Sequence, residues 1–260
     1  MTRVLAFTNR KGGCGKTTTT VNVAAALAHM GKRTLVVDMD PQAHATISLG
    51  IDQGSVRYDV GSVSRGQVAA GDTLRGTYIP RLKVLPSSRK LADFERRFGN
   101  TLEARFWLRD NIKSILSQFE YVCIDTPPTT QLLTVSALVA ATEAVIPMQA
   151  HFLAMEGMIE IIELIEQVKD HHNAGLSVAG VIPTFFDDSN GMSVQIVKEL
   201  TGRLGADIFL PPVHVVAALA EAPGFGHTIF QHELRGLGAH DYYRVAQAII
   251  RNRRRADERD

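Results

Sequence analysis

Lys11-Gly12-Gly13-Cys14-Gly15-Lys16-Thr17-Thr18 lies between the apolar stretch Val4 to Phe7 and the helix-like stretch Val21 to Met30. Three glycines in this run let the backbone turn tightly enough for several N–H groups to converge on one anion, because positive φ costs glycine little. The helix that follows points its free N–H groups and the positive end of its dipole at the same place. Lys16 is placed to reach the β- and γ-phosphates of a bound triphosphate, and the Thr17 hydroxyl to hold Mg²⁺. The usual pattern, G-x-x-x-x-G-K-[ST], has its first glycine five residues before the glycine that precedes the lysine; here that position holds Arg10, and Lys11 follows it. A lysine at 11 is expensive beside Lys16 unless several negative charges lie between them, as a triphosphate supplies.

The surrounding chain reads as alternating short apolar runs and helical patterns. Val4 to Phe7, Thr34 to Val37, Leu82 to Leu85, Tyr121 to Ile124, Ala144 to Pro147, Val178 to Ile182 and Asp207 to Leu210 are the expected buried parallel strands. Thr17 to Met30, Thr101 to Phe119 and Leu153 to Val168 are the expected helices, the last with Met155, Met158, Ile159, Ile162 and Ile165 on one stripe. Gly61 to Thr77, rich in Gly, Ser and charge, is expected to be the least structured stretch. Such alternation implies right-handed crossovers, an α/β fold with a mostly parallel twisted sheet, and helices on both faces. With 260 residues, 45% hydrophobic and 21% charged, residues 1–260 suffice for one sizeable domain. A net charge of +1 supplies no global field for nucleic acid, so any basic surface is local. The two cysteines, Cys14 and Cys123, imply no disulfide framework, and no apolar run reaches membrane-spanning length, so a cytoplasmic protein is expected. His171-His172 has no Cys or carboxylate partner at a zinc-type spacing.

The K-G-G-x-G-K-T-T form, with its early lysine, resembles the deviant Walker A motif of the ParA/MinD group of P-loop ATPases, most of all its ParA (Soj-like) partitioning branch. Further blocks match in order: Asp38-Met39-Asp40-Pro41-Gln42, then Cys123-Ile124-Asp125-Thr126-Pro127-Pro128, then Phe152 to Gly157, and Glu221-Ala222-Pro223-Gly224-Phe225-Gly226. The resemblance implies a single-domain P-loop NTPase fold and a slow, partner-stimulated ATP hydrolase that uses ATP and Mg²⁺. It also implies a homodimer closed over two nucleotides, in which Lys11 reaches the partner's phosphates, and a hydrolysis-stimulating partner that is ParB-like or a cargo adaptor.

Asp38 and Asp125 end two of the expected strands, so both arrive at the edge where the phosphate loop sits and each can reach Mg²⁺ directly or through its water. Asp40 lies just beyond, on a loop that Pro41 helps to fix. The resemblance gives Asp40 the role of positioning the attacking water, places Asp38 and Asp125 around the metal, and puts adenine contacts near Pro211. A plainer reading is that aspartates at strand ends cap the next helix, and that Asp-Pro starts a turn. Cys14, Gly12, Gly13, Gly15 and Thr18 complete the nucleotide cradle.

On the output side the chain departs from the pattern it resembles. Asp187-Asp188-Ser189-Asn190-Gly191 stands where many relatives carry an arginine-threonine pair, and Leu210 to Leu219 lacks the arginines of the family's segment before Glu221. The remaining basic candidate is Tyr242 to Arg255, with an apolar stripe of Tyr242, Val245, Ala246 and Ile249 and arginines at 244, 251, 253, 254 and 255. It can contact DNA backbone without sequence preference, lie on an anionic membrane as MinD-like relatives do, or dock on the core as a terminal helix. The membrane reading is the weaker, because the tail ends in Asp257, Glu258 and Asp260. Arg89, Lys90, Arg96 and Arg97 read as a solvated helix face. Three functions stay open at this point: an ATPase positioning DNA or a large protein cargo, a MinD-like membrane-associated spatial regulator, and an enzyme that activates a metabolite.

Overall fold

Val4 and Ala6 of β1 (Arg3–Phe7) pack into one apolar core while Leu5 and Phe7 pack into another, so the strand is buried on both faces. The same division holds for β2 (Thr34–Asp38) and β5 (Tyr121–Asp125), which is why these strands read as continuous apolar runs. The computed structural model describes residues 1–99, 101–151 and 154–257, with the side chains of 154–156 and 253–257 outside the description. Adding β3 (Arg75–Gly76), β4 (Leu82–Leu85), β6 (Glu143–Gln149) and β7 (Ser177–Thr184) gives a seven-stranded sheet in the order β3-β4-β2-β5-β1-β6-β7. Only β3 runs antiparallel within it, as a short edge strand beside β4.

The order sets the site. β2, β5 and β1 are consecutive neighbours, with Asp38 opposite Asp125 and Asp125 opposite Phe7, so three strands deliver their C-terminal ends to one place. On one face lie the helix Lys16–His29 and, packed against it, the C-terminal helix Leu237–Asp257; Tyr242, Val245, Ala246 and Ile249 of the latter are buried. The other face carries Leu132–Ala140 and Ala154–His171.

Six of the seven expected strands are present. Asp207 to Leu210 is not one: residues 206–208 form a 3₁₀ turn, and only Phe209 bridges to Val181 of β7. Pro211 and Pro212 have no N–H with which to continue a ladder, so the segment follows the sheet edge as a strap. The stretch Thr101 to Phe119 is also not one helix but two 3₁₀ turns flanking Trp107–Ile112, with a gap before the last. Tertiary donors bind carbonyls along it: Ser136 Oγ donates to Ala104, and Thr2 Oγ1 to Leu116 and Phe119. Gly61 to Thr77 is ordered, holding most of the helix Val60–Ser64, which a capping box between Asp59 and Ser62 starts, then Ala70–Thr73 and β3. Within Ala154–His171, Met158 and Ile165 are buried as expected, but Ile159 turns outward at 54% exposure and Ile161 takes the core position. Met155 of that stripe lies outside the described side chains.

One buried charge ties the C-terminal helix to the sheet. Arg3 is 6% exposed, donates to both carboxylate oxygens of Glu143 at 2.7 and 2.5 Å, and donates to the Ile249 carbonyl at 2.6 Å. Arg3→Ala leaves Glu143 without its counterion and is expected to destabilise the chain by about 3 kcal/mol, measured by urea unfolding.

Candidate functional site

The phosphate loop spans the turn from β1 into Lys16–His29. Gly13 and Gly15 adopt φ of 73° and 82°, a left-handed conformation that other residues adopt only with strain. Lys16 is 6% exposed and its ammonium folds back to donate to the Lys11 carbonyl at 2.9 Å, so it lies over the loop. The loop is braced from outside. Asn9 donates through Nδ2 to the Pro147 carbonyl and accepts the Lys11 N–H, and Thr184 Oγ1 donates to the Cys14 carbonyl at 2.8 Å. Asn9 and Thr184 carry no motif of their own; Asn9 is part of the loop, and the packing of β6 and β7 beside β1 brings Pro147 and Thr184 to it.

The three aspartates gather at the loop. Thr17 Oγ1 donates to Asp125 Oδ2 at 2.8 Å, and Thr20 Oγ1 to Asp125 Oδ1 at 3.0 Å. Thr20 was not singled out from the sequence, although Thr17 and Thr20, three apart, share one face of the helix. Asp38 accepts from the Asp40 N–H and from both the N–H and hydroxyl of Thr46. Asp40 is 8% exposed and its Oδ1 accepts the Gln42 N–H, so it is also the turn-forming residue of the plainer reading.

Asp38 and Asp125 are both fully buried. Burial pushes the Asp38 carboxyl well above the usual carboxylate range, against the hydrogen bonds from Thr46 and Asp40. Burial does the same at Asp125, reinforced by the charge of Asp38 and opposed by Thr17 and Thr20. Two buried carboxylates at the ends of neighbouring strands and a threonine hydroxyl form an all-oxygen donor set suited to a hard cation such as Mg²⁺, whose charge would relieve their repulsion. A carboxyl whose pKa is raised by folding stabilises the fold fully below its unfolded value, about 3.9, and that stability is lost as pH rises through the raised value. Asp125→Asn is therefore expected to match or exceed the wild-type Tm in metal-free melts near pH 8, while losing any Mg²⁺-induced rise. A wild-type Mg²⁺ response in that variant would remove Asp125 from the cation site.

Lys11 and Arg10 point elsewhere. The Lys11 ammonium contacts His151 Nε2, just after β6, and Arg10 pairs with Glu160 at 2.6 Å on the exposed surface. His151 was not singled out from the sequence, because it lies just outside the Phe152 to Gly157 block and carries no motif of its own. Cys14 is 1% exposed and burial pushes its thiol up, despite Lys16 and Lys11 nearby, which argues for a small residue tolerated in the loop. Thr126, first residue of the Thr126-Pro127-Pro128 segment, donates to the Phe7 carbonyl at the end of β1. Gly12 and Thr18 lie in the loop and at its helix, as expected. Pro211 is half-buried in the strap, between Leu210, whose N–H donates to Val181, and Val213, whose N–H donates to Pro183.

Among the basic groups, Arg89, Lys90, Arg96 and Arg97 are exposed on and beside the helix Lys90–Phe98, with Lys90 near Asp59 and Arg96 paired to Asp93. Arg244 and Arg251 lie on the outer face of the C-terminal helix, and the side chains of Arg253, Arg254 and Arg255 lie outside the described residues. No helix among the described residues is long and apolar enough to cross a membrane.

Comparison with known proteins supplies relatives over nearly the whole chain. A family model described as an AAA domain matches residues 2–178. The chromosome partitioning protein ParA of Caulobacter vibrioides is 34% identical over 254 residues, which cover 97% of this chain and 95% of that protein. The sporulation initiation inhibitor protein Soj of Bacillus subtilis is 33% identical over 252 residues, covering 97% of this chain and all of its own. A solved structure of cobyrinic acid a,c-diamide synthase from Mycobacterium smegmatis, with bound ATP analogue and magnesium, has a TM-score of 0.85 and 29% identity, covering 98% of this chain and 97% of its own.

Proposed function

Because the chain belongs to the ParA/Soj family of partitioning ATPases, we propose that it is an ATP hydrolase that dimerises on ATP and positions DNA or a large protein cargo, hydrolysis resetting the dimer. The observation that carries this reading is the meeting of Lys16, Thr17, Asp38 and Asp125 at one loop, the set of groups needed to hold a triphosphate and a hard cation. Gly12 to Thr18 receive the phosphates through backbone N–H groups, and Lys16 holds the β- and γ-phosphates. Thr17, Asp38 and Asp125 hold Mg²⁺, which when bound neutralises phosphate charge that develops during transfer. Asp40 orients the attacking water, and the strap around Pro211 borders the adenine. Lys11 leaves His151 and reaches the nucleotide of a second copy, so that ATP joins the dimer and loss of the γ-phosphate loosens it. A separate partner, ParB-like or a cargo adaptor, stimulates the hydrolysis.

DNA is the proposed surface rather than membrane. The apolar stripe of the C-terminal helix is buried in the core, which leaves Arg244 and Arg251 on an outer face whose exposed large apolar residues, among the described ones, are Leu237 and Tyr243, too few for a face that inserts into lipid. The Arg3 bond to Ile249 holds this end of the helix at the start of β1, so Arg251 lies toward the pole opposite the phosphate loop. DNA mobility shift and liposome cosedimentation, each with ATP at two salt concentrations, test the choice. DNA binding that falls steeply with salt is expected. Retention on liposomes without a DNA shift would overturn it.

A further inference from the structure

We propose that Asp188, His214 and Asp241 form a clasp that holds the outer wall of the nucleotide site and sets how firmly it closes; the proposal rests on the nucleotide reading above. The wall is the end of β7 with the turn beyond it. Thr184 binds the Cys14 carbonyl, and a Cβ added at Gly15 would lie 3.6 Å from the Phe185 ring, so both residues touch the phosphate loop. Phe185 itself sits at φ 51°, an uncommon conformation for a bulky side chain that must be held by its surroundings. Behind it runs the strap. Leu210 and Val213 donate to Val181 and Pro183, Phe186 donates to Val213, and Val215 donates back to Phe186.

His214 closes this strap in two directions. Its N–H and Nδ1 lie 3.0 and 2.7 Å from Asp241 Oδ2 on the C-terminal helix, and its Nε2 lies 3.0 Å from Asp188 Oδ2 on the turn after β7. Asp241 is fully buried and its Oδ1 has no hydrogen-bond partner among the described residues, whereas the Asp188 side chain is 77% exposed. The next residue along the helix, Tyr242, shares a hydrogen bond with Thr19 of the phosphate-loop helix, so the anchor is itself tied to the site. The turn that carries Asp188 is thus joined, through one imidazole, to the helix packed behind the nucleotide loop.

Imidazole donates through both nitrogens only when protonated. A neutral ring keeps one bond and turns a lone pair toward the other carboxylate. The buried Asp241 has the greater need of a donor, so the exposed Asp188 is the arm that lets go, and the turn bearing Phe185 loses its hold from that side. The charged groups around the ring are Asp187 and Asp188 from the turn and Asp241 from the helix, with His240 Nδ1 3.9 Å from Asp241 Oδ1. Burial opposes protonation of His214, but the bonds and charges of Asp241 and Asp188 outweigh it and raise its pKa. The clasp is therefore fully closed below the ordinary histidine value of about 6.5 and opens as pH rises through the raised one.

Asp188→Ala removes the exposed arm without disturbing the buried pair, and His214→Gln removes the titrating group. Amide exchange of the Thr184–Asn190 turn in the nucleotide-free chain is expected to be about fivefold faster in Asp188→Ala near pH 6, with the wild type approaching the variant as pH rises. Affinity for a slowly hydrolysed ATP analogue with Mg²⁺ is expected to lose several-fold more across the same interval in the wild type than in either variant, the titration of Asp38 and Asp125 being common to all three. An Asp188→Ala chain that keeps the wild-type exchange rates and pH profile overturns the clasp. The exchange measurement needs no nucleotide, so it decides the clasp even where nucleotide binding itself fails.

Discussion

Lys11→Ala is expected to abolish ATP-dependent dimerisation while leaving most of the monomer's nucleotide affinity intact. The two roles separate because the backbone of Lys11 serves its own loop: its N–H is accepted by Asn9 and its carbonyl receives the Lys16 ammonium. Alanine preserves both bonds, so Lys16 keeps its place over the phosphates. What is lost is the ammonium, which in the proposed dimer makes a charge-assisted hydrogen bond to the other copy's nucleotide. With two such contacts per dimer, at about 1.5–3 kcal/mol each, association weakens by about 3–6 kcal/mol, enough to remove the dimer at micromolar protein. Sizing in the presence of a slowly hydrolysed ATP analogue reads this directly. A normal dimer in the variant would sink the proposal that Lys11 acts in trans.

Asp40→Ala is expected to give a long-lived ATP dimer, with turnover reduced about 100-fold if the carboxylate positions the attacking water. The side chain also accepts the Gln42 N–H, so alanine removes a turn contact as well. Asp40→Asn keeps an acceptor for that N–H and separates the two effects: slow turnover in both variants belongs to the chemistry, whereas slow turnover in alanine alone belongs to the turn. Unchanged phosphate release in both would remove Asp40 from the role. The order of the two variants matters, since Lys11→Ala prevents the dimer from forming and Asp40→Ala prevents it from ending. A Lys11→Ala, Asp40→Ala double variant is expected to be monomeric.

The relation between motif and structure is clearest at the carboxylates. Asp38 and Asp125 were legible as strand-end residues beside a phosphate loop, and the parallel register sets them opposite each other. Their shared burial, and the Thr20 and Thr46 hydroxyls that meet them, arise from packing between segments far apart in the chain. Where the apolar pattern met another demand, local or tertiary, the pattern gave way. Leu210 is apolar enough for a strand, but the two prolines after it end the ladder. Residues 104, 108, 112, 115 and 119 have helical spacing, yet carbonyls along that stretch are bound by Ser136 and Thr2.

By itself, the sequence determined the phosphate loop, the alternation of strand and helix, and the order in which the aspartates arrive at one edge. These are local properties: glycine's backbone freedom, the period of apolar residues, and the short range of a loop between a strand and its helix. Tertiary structure alone decided that Lys11 rests on His151, that the C-terminal stripe belongs to the core, and that the two stretches departing from the family's pattern are joined through His214 to Asp241. Each of those contacts spans tens of residues or more, and no local propensity encodes it; it exists only because the sheet order brings β6 and β7 beside the loop and lays the last helix against the first.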